Sequence, residues 1–255
     1  MLHKITHGTE TAAPPLLIAH GLFGSGRNWG VIAKRLSDER EVIAVDMRNH
    51  GNSPWFDGHS YPDMAGDLAE VIEEIERPVD VLGHSMGGKA AMMLALSRPE
   101  LVNRLIVADI APVAYSHSQA HNIEAMQAID LSQVSKRSDA AAQLAPLLED
   151  ENLVPFFLQS LDVPNRRWRL NFTALMRAMP DILSFPKTDS HFDGPTLFLS
   201  GGASDYVGPA HRPRIKELFP TARFMKIPGA SHWLHADKPR EFEAALRGWL
   251  NLALS

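Results

Sequence analysis

Gly83-His84-Ser85-Met86-Gly87 sets a serine between two glycines, at the junction of an apolar run, Val79 to Leu82, and a stretch with helical spacing, Lys89 to Ser97. This is the Gly-x-Ser-x-Gly pattern of a nucleophile elbow, in which a sharp strand-to-helix turn holds a hydroxyl out for attack. Glycines suit the flanking places because the serine backbone is strained there and strand and helix approach too closely for side chains. The chain of 255 residues has no cysteine. A thiolate nucleophile, a disulfide framework and a Cys-based zinc site are therefore excluded, and the chemistry falls to a hydroxyl or a carboxylate.

A serine hydroxyl needs a base and, for acyl transfer, donors that receive the developing oxyanion. Pro228-Gly229-Ala230-Ser231-His232-Trp233 follows the last apolar run and places His232 in a glycine turn, with His235 as the fallback. A histidine late in the chain is the order expected after such an elbow. The turn His20-Gly21-Leu22-Phe23-Gly24 closes the run Leu16 to Ala19 and is expected to supply one oxyanion donor, the Leu22 N–H, with Phe23 as its replacement. The other donor is the N–H of Met86, at the start of the helix whose dipole favours negative charge.

These groups need a scaffold that brings them together. Apolar runs recur at Leu16 to Ala19, Val42 to Val45, Val79 to Leu82, Leu105 to Ala108, Thr196 to Leu199 and Phe224 to Ile227. Helical patterns lie between several of them, at Val31 to Leu36, Tyr61 to Ile75 and Lys89 to Ser97, and a last one runs from Glu241 to Leu250. The alternation implies an α/β fold with a mostly parallel sheet covered on both faces. It breaks between Ala111 and Asp193, where helical patterns without a convincing buried strand predict a helical insertion. The expected division is a core of residues 1–110 and 190–255 with a cap of residues 111–189, which either lines a substrate pocket or extends the core.

The segments HGLFGS, DMRNHGNS, GHSMGGKA, ADIAPV and SHWLHADKP together resemble the α/β-hydrolase superfamily, most closely the small YbfF-type esterases and their mitochondrial relatives in animals. The resemblance spans nearly the whole chain and is weakest in the insertion. It implies the α/β-hydrolase fold with a helical cap before the penultimate strand. It also implies a serine hydrolase without metal or cofactor that acts on esters or thioesters of small to medium acyl groups, with Ser85 as nucleophile and His232 as base.

The acid of the triad has two candidates. Asp205 lies in the glycine turn after the run Thr196 to Leu199, but the Gly-x-x-Asp-x-x-Val pattern common in the superfamily, laid on Gly201 and Val207, puts Ser204 at the acid position. Asp109 closes the strand after the nucleophile helix, at the carboxyl end where parallel sheets gather reactive groups. The YbfF-type resemblance points to the same strand. Asp109 is the preferred acid, and the ordinary alternative for either aspartate is a turn cap.

Other readings are weaker. Gly24-Ser25-Gly26 with Asp46 some way on suggests a dinucleotide site, but Trp29 stands where the third glycine must allow close packing. His117 and His121 have the i, i+4 spacing of a metal pair without the glutamate or third ligand of a zinc site. Asp46-Met47-Arg48-Asn49-His50-Gly51 is expected to brace the oxyanion turn. The basic stretch Arg166, Arg167 and Arg169 is read as a solvated edge; a contact with the phosphates of an acyl-CoA is the alternative.

A net charge of −5 gives no reason to expect nucleic acid or an anionic membrane surface as a partner. No signal-peptide core or membrane span is visible, so a cytoplasmic place is expected. A serine at the elbow argues against the aspartate-based dehalogenases and epoxide hydrolases. Cleavage of a C–C bond, cofactor-free perhydrolysis and a ligand receptor with a decayed triad are the functional alternatives, and oligomeric state is not legible.

Overall fold

The computed structural model describes residues 1–253. Nine strands follow one another among the described residues: β1 Lys4–His7, β2 Leu16–Ala19, β3 Val42–Val45, β4 Val79–His84, β5 Val102–Ala108, β6 Leu161–Asp162, β7 Arg167–Trp168, β8 Thr196–Gly201 and β9 Arg223–Ile227. Seven of them form one sheet in the order β1-β3-β2-β4-β5-β8-β9. All neighbours in it are parallel except β1 with β3. The order runs leftward from β2 to β3 and then rightward from β2 to β4, so the crevice at the carboxyl ends of β2 and β4 is a topological switch point. The elbow leaves β4 there, beside the turn that leaves β2.

Helices α1 Gly30–Leu36, α2 Tyr61–Glu73 and α3 Met86–Ser97 lie between the first strands. The insertion between β5 and β8 carries α4 Ala120–Gln127, α5 Arg137–Leu144, α6 Val154–Phe157, α7 Phe172–Arg177 and α8 Met179–Leu183. Then come α9 Arg212–Leu218, α10 Leu234–Asp237 and α11 Pro239–Leu250. Strands β2, β3, β4 and β8 are buried at every position, as expected where helices cover both faces of a parallel sheet. One apolar core joins α2, α3 and the insertion to one face. The other joins α1 and α11 to the opposite face.

Strands β1, β6 and β7 and helix α9 are not legible in the sequence pattern. Strand β1 alternates exposed and half-buried residues and sits at the sheet edge, where partial burial leaves no apolar run. The insertion is not purely helical, because β6 and β7 form a hairpin of two residues per strand, too short for any periodicity. Helix α9 buries only Ile215 and Leu218 of its seven residues, which leaves little amphipathic signal.

The insertion docks on the turn that follows β3. Gly51 N donates to Arg169 O at 2.8 Å, Asn171 N donates to Asn49 O at 3.0 Å, and His50 and Leu170 form an isolated bridge.

Candidate active site

Ser85 adopts φ 52° and ψ −119°, the left-handed strain of an elbow serine. Neighbouring backbone holds it there. Ser85 N donates to Ala108 O on β5 at 3.0 Å, and Lys89 N donates to Ser85 O at 3.0 Å, which starts α3. A Cβ on Gly83 would collide with the carbonyl of Gly87, and one on Gly87 with the carbonyls of Ala19 and His20. Glycine at both places is thus a condition of the strand-to-helix approach.

Asp109 ends β5 at φ 52°, a second non-glycine residue held in the left-handed region. Its fully buried carboxylate accepts three hydrogen bonds: from Gly201 N at 2.9 Å, from the Ser204 hydroxyl at 2.5 Å and from His232 Nδ1 at 2.8 Å. With Nδ1 donating to the carboxylate, Nε2 of His232 is left as a base. Ser85 and His232 line one cavity of about 210 Å³. Asp205 is exposed on the loop beyond β8 and is not among the partners of His232. The fallback His235 stacks on Trp29, with ring centroids 4.2 Å apart, and stands outside the cavity lining.

The turn after β2, which carries the candidate oxyanion donors, is braced by neutral histidines. His20 Nδ1 donates to Gly21 O at 2.7 Å, and its Nε2 accepts from Met47 N at 2.9 Å. His50 Nδ1 donates to Arg48 O at 2.9 Å, and its Nε2 accepts from Phe23 N at 3.1 Å. Burial pushes His20 down to about 4 and His50 to about 3, so both rings hold one donor and one acceptor at neutral pH.

Phe23, the expected replacement for Leu22, therefore has its N–H already committed to His50. The N–H groups of Leu22 and Met86 have no protein acceptor among the described residues. Asp46 secures the same turn, accepting from Gly26 N and Asn52 N at 2.8 Å each. From the insertion, the Ser160 hydroxyl donates to Phe23 O at 2.9 Å.

The chain belongs to the α/β-hydrolase family. The family's sequence profile, described as an alpha/beta hydrolase family, matches residues 16–245. The chain is 40% identical over 255 residues to the mouse protein named sn-1-specific diacylglycerol lipase ABHD11, covering 94% of this chain and 82% of the mouse protein. It is 39% identical over 241 residues to esterase YbfF of Escherichia coli K12, covering 93% of each. Among solved structures, one described as a marine microorganism esterase superposes with a TM-score of 0.91 at 38% identity, over 97% of this chain and 98% of that one. The YbfF-type resemblance and the α/β-hydrolase fold are both shown by these matches.

Two groups of this α/β-hydrolase's site were not singled out from sequence. His84, inside the elbow, donates Nε2–H to the carbonyl of His232 at 2.9 Å and so fixes the backbone of the candidate base. Burial and the nearby His232 hold it well below the usual histidine range. Lys89, one turn beyond Ser85, points its ammonium at the carbonyls of Leu183 and Ser184, at 3.0 and 2.6 Å, where α8 ends. It thereby ties the insertion to the nucleophile helix. A single charge among the alanines and methionines of α3 was the signal available for it.

Burial pushes the Lys89 ammonium down to about 7, from about 10.4 in an unfolded chain. Between these values the unfolded chain holds a proton that the folded one sheds, so this group makes stability rise with pH, by up to about 1.4 kcal/mol per pH unit. Urea unfolding at about pH 7.5 and about pH 9.5 should show the wild type gaining stability relative to Lys89→Met. Parallel pH dependence in the two proteins would refute this.

The other candidates lie elsewhere. His117 precedes α4, so it shares no helical face with His121, and its Nε2 lies 2.6 Å from the Tyr206 hydroxyl. Trp29 is a core residue, 1% exposed. Arg167 and Arg169 pair with the buried Asp162 at 3.4 and 3.2 Å, and neither they nor Arg166 line the cavity of Ser85. Among the described residues no three His, Asp or Glu side chains gather as metal ligands. No described helix is long and apolar enough to cross a membrane.

Proposed function

We propose that this protein is a serine hydrolase that cleaves carboxylic esters or thioesters of small to medium acyl groups through an acyl-enzyme on Ser85. The observation that carries the reading is the buried Asp109 carboxylate 2.8 Å from Nδ1 of His232, a histidine that lines the same cavity as the strained serine. Two of the similar proteins are named an esterase and a diacylglycerol lipase, and both names denote ester cleavage.

Ser85 Oγ attacks the carbonyl carbon and gives its proton to His232 Nε2, while Asp109 holds the tautomer and stabilises the imidazolium. The Leu22 and Met86 N–H groups receive the oxyanion. The intermediate collapses as the alkoxide or thiolate leaves with the proton from His232. Water then loses a proton to His232 and attacks the acyl carbon; the acid departs and the proton returns to Ser85 Oγ. No metal or cofactor enters these steps.

The walls supplied by Phe23, Leu153, Phe156, Phe157, Ile182 and Trp233 suit an apolar acyl chain. The residues from Asp109 to the start of β8 supply six of the cavity's residues beyond Ile110, from Tyr115 to Phe157, together with Ile182 and Leu183. On this reading residues 111–189 form a cap that shapes the acyl site.

The direct test is mass spectrometry after treatment with a fluorophosphonate, with an ester and thioester chain-length screen beside it. The expected result is a covalent mass gain on Ser85 and turnover that falls as the acyl chain outgrows the cavity. An unlabelled Ser85 without turnover would favour a ligand receptor.

A further inference from the structure

The cavity of Ser85 contains a cation that none of the mechanistic steps uses. Among the described residues no aspartate or glutamate lines this cavity, and Lys89 is its one lysine or arginine. The Lys89 side chain is 1% exposed. Its hydrogen-bond partners are all backbone carbonyls: Ser184 O at 2.6 Å, Leu183 O at 3.0 Å and Ile182 O at 3.4 Å. Burial alone lowers its affinity for a proton, as expected of an ammonium with no counter-charge beside it. Asp181, the acid of α8, is exposed.

The third of these bonds is the loose one. The carbonyl of Ile182 already accepts from the Tyr61 hydroxyl at 2.7 Å, so it stays satisfied when the ammonium turns one N–H elsewhere. The rings of Tyr61 and Tyr115 flank the ammonium, 5.6 and 4.9 Å from Nζ to the centroids, an arrangement that favours a cation. Both tyrosines line the cavity, as do Ile182 and Leu183. Burial holds both phenols in the neutral form and lowers the affinity of His117 for a proton. The aromatic walls form a cluster of their own, with Phe156 5.6 Å from Phe157 and 4.4 Å from Trp233 between centroids. A cationic, tyrosine-flanked wall beside an apolar one suits a short methylene chain that ends in an anion.

Resting on the hydrolase reading above, we propose that Lys89 is a specificity-determining residue whose ammonium receives the distal carboxylate of the acyl group, so that half-esters and half-thioesters of short dicarboxylic acids are the preferred substrates.

The physical grounds are as follows. Lys89 stands four residues after Ser85, and i, i+4 positions share one face of a helix, which brings its side chain to the cavity of the nucleophile. An ammonium taken out of water without a counter-charge is costly. A carboxylate docked against it supplies that charge and a charge-assisted hydrogen bond. A neutral acyl group of the same length leaves the cost in place, and this difference separates the two substrates. A lysine that only held α8 in place would not distinguish them. Turnover follows the same two steps, releasing the alcohol or thiol and then the free dicarboxylate.

The test measures kcat/KM for monomethyl glutarate and for methyl pentanoate, whose terminal methyl replaces the carboxylate, by titration of the acid released at about pH 7, with thermal melting to show that each variant is folded. The wild type is expected to favour the anionic ester by about tenfold or more, and Lys89→Met to lose that preference, as befits loss of a hydrogen bond between charged groups. The ratio of the two esters is the readout because Lys89→Met also cuts the tie to α8, which affects both. Tyr61→Phe leaves the Ile182 carbonyl to reclaim the third N–H, so it should lower the ratio by about threefold.

A ratio unchanged in folded Lys89→Met would overturn the proposal. Should that variant fail to fold, the wild-type and Tyr61→Phe ratios decide: a wild-type ratio of one or less, or no fall in Tyr61→Phe, overturns it as well. A wild type that labels at Ser85 yet shows no preference for the anionic ester, or no turnover of it, removes the carboxylate role alone. A wild type that neither cleaves either ester nor labels at Ser85 removes the hydrolase reading and this role with it.

Discussion

Ser85→Ala is expected to lower kcat on a short-chain ester by on the order of 10⁵-fold while the fold survives. The survival follows from how the serine is held. Its backbone hydrogen bonds to Ala108 O and from Lys89 N do not involve the hydroxyl, and alanine carries the same Cβ through the strained turn. The lost activity is the whole covalent route, because no cysteine is present to replace the hydroxyl. What remains is the contribution of the oxyanion donors and of substrate binding, about 10³-fold over water in enzymes of this logic. The check is kcat beside a melting curve. A folded alanine variant that keeps more than about a hundredth of the turnover would be incompatible with an acyl-enzyme on this residue.

Asp109→Asn comes next in size, with an expected loss of about 10⁴-fold in kcat. Asparagine keeps the shape and its oxygen can still accept from Gly201 N, while its amide nitrogen replaces the oxygen that receives both the Ser204 hydroxyl and His232 Nδ1. It cannot supply the negative charge that stabilises an imidazolium, and its amide offers a donor where Nδ1–H needs an acceptor, which favours the wrong tautomer. Asp205→Asn should stay within about twofold of wild type, since an exposed carboxylate outside the His232 contacts is screened by water. The pair of variants separates the two aspartates cleanly. A large loss for Asp205→Asn with a small one for Asp109→Asn would reassign the acid.

The two aspartates also mark where local reasoning weakened. The strained turn at Ser85, the nucleophile of the proposed mechanism, is legible because an elbow is a property of five consecutive residues whose backbone demands can be read one by one. His232 was legible by its glycine turn and its place in the chain order. For the acid, the sequence offered two strand ends and a pattern displaced by one residue. The structure distinguishes them by a contact between residues 123 apart. Ser204 looked like the mere occupant of a vacated acid position, and only the 2.5 Å contact with Asp109 shows that it still faces the same carboxylate site.

Lys89, His84 and Tyr206 are hard to read from the sequence for a related reason. Each meets a partner far away in the chain: a helix end in the insertion, the carbonyl of His232 and its imidazole. The metal reading of His117 and His121 failed as geometry because α4 begins after His117, so the i, i+4 spacing never became a shared face. Phe23 and Leu22 were interchangeable by position, and a buried ring on the neighbouring turn, His50, separates them by taking one N–H.

By itself the sequence determined the succession of buried strands and covering helices, the glycine-framed serine, and the absence of thiol chemistry. These depend on side-chain size, polarity and backbone freedom over a few neighbouring residues. Only the tertiary structure decided which carboxylate meets the imidazole, which amides stay unpaired at the oxyanion turn, and how the insertion is tied to the nucleophile helix. A hydrogen bond between distant residues depends on distances of a few tenths of an ångström, set by strand order and packing, and no local pattern encodes them.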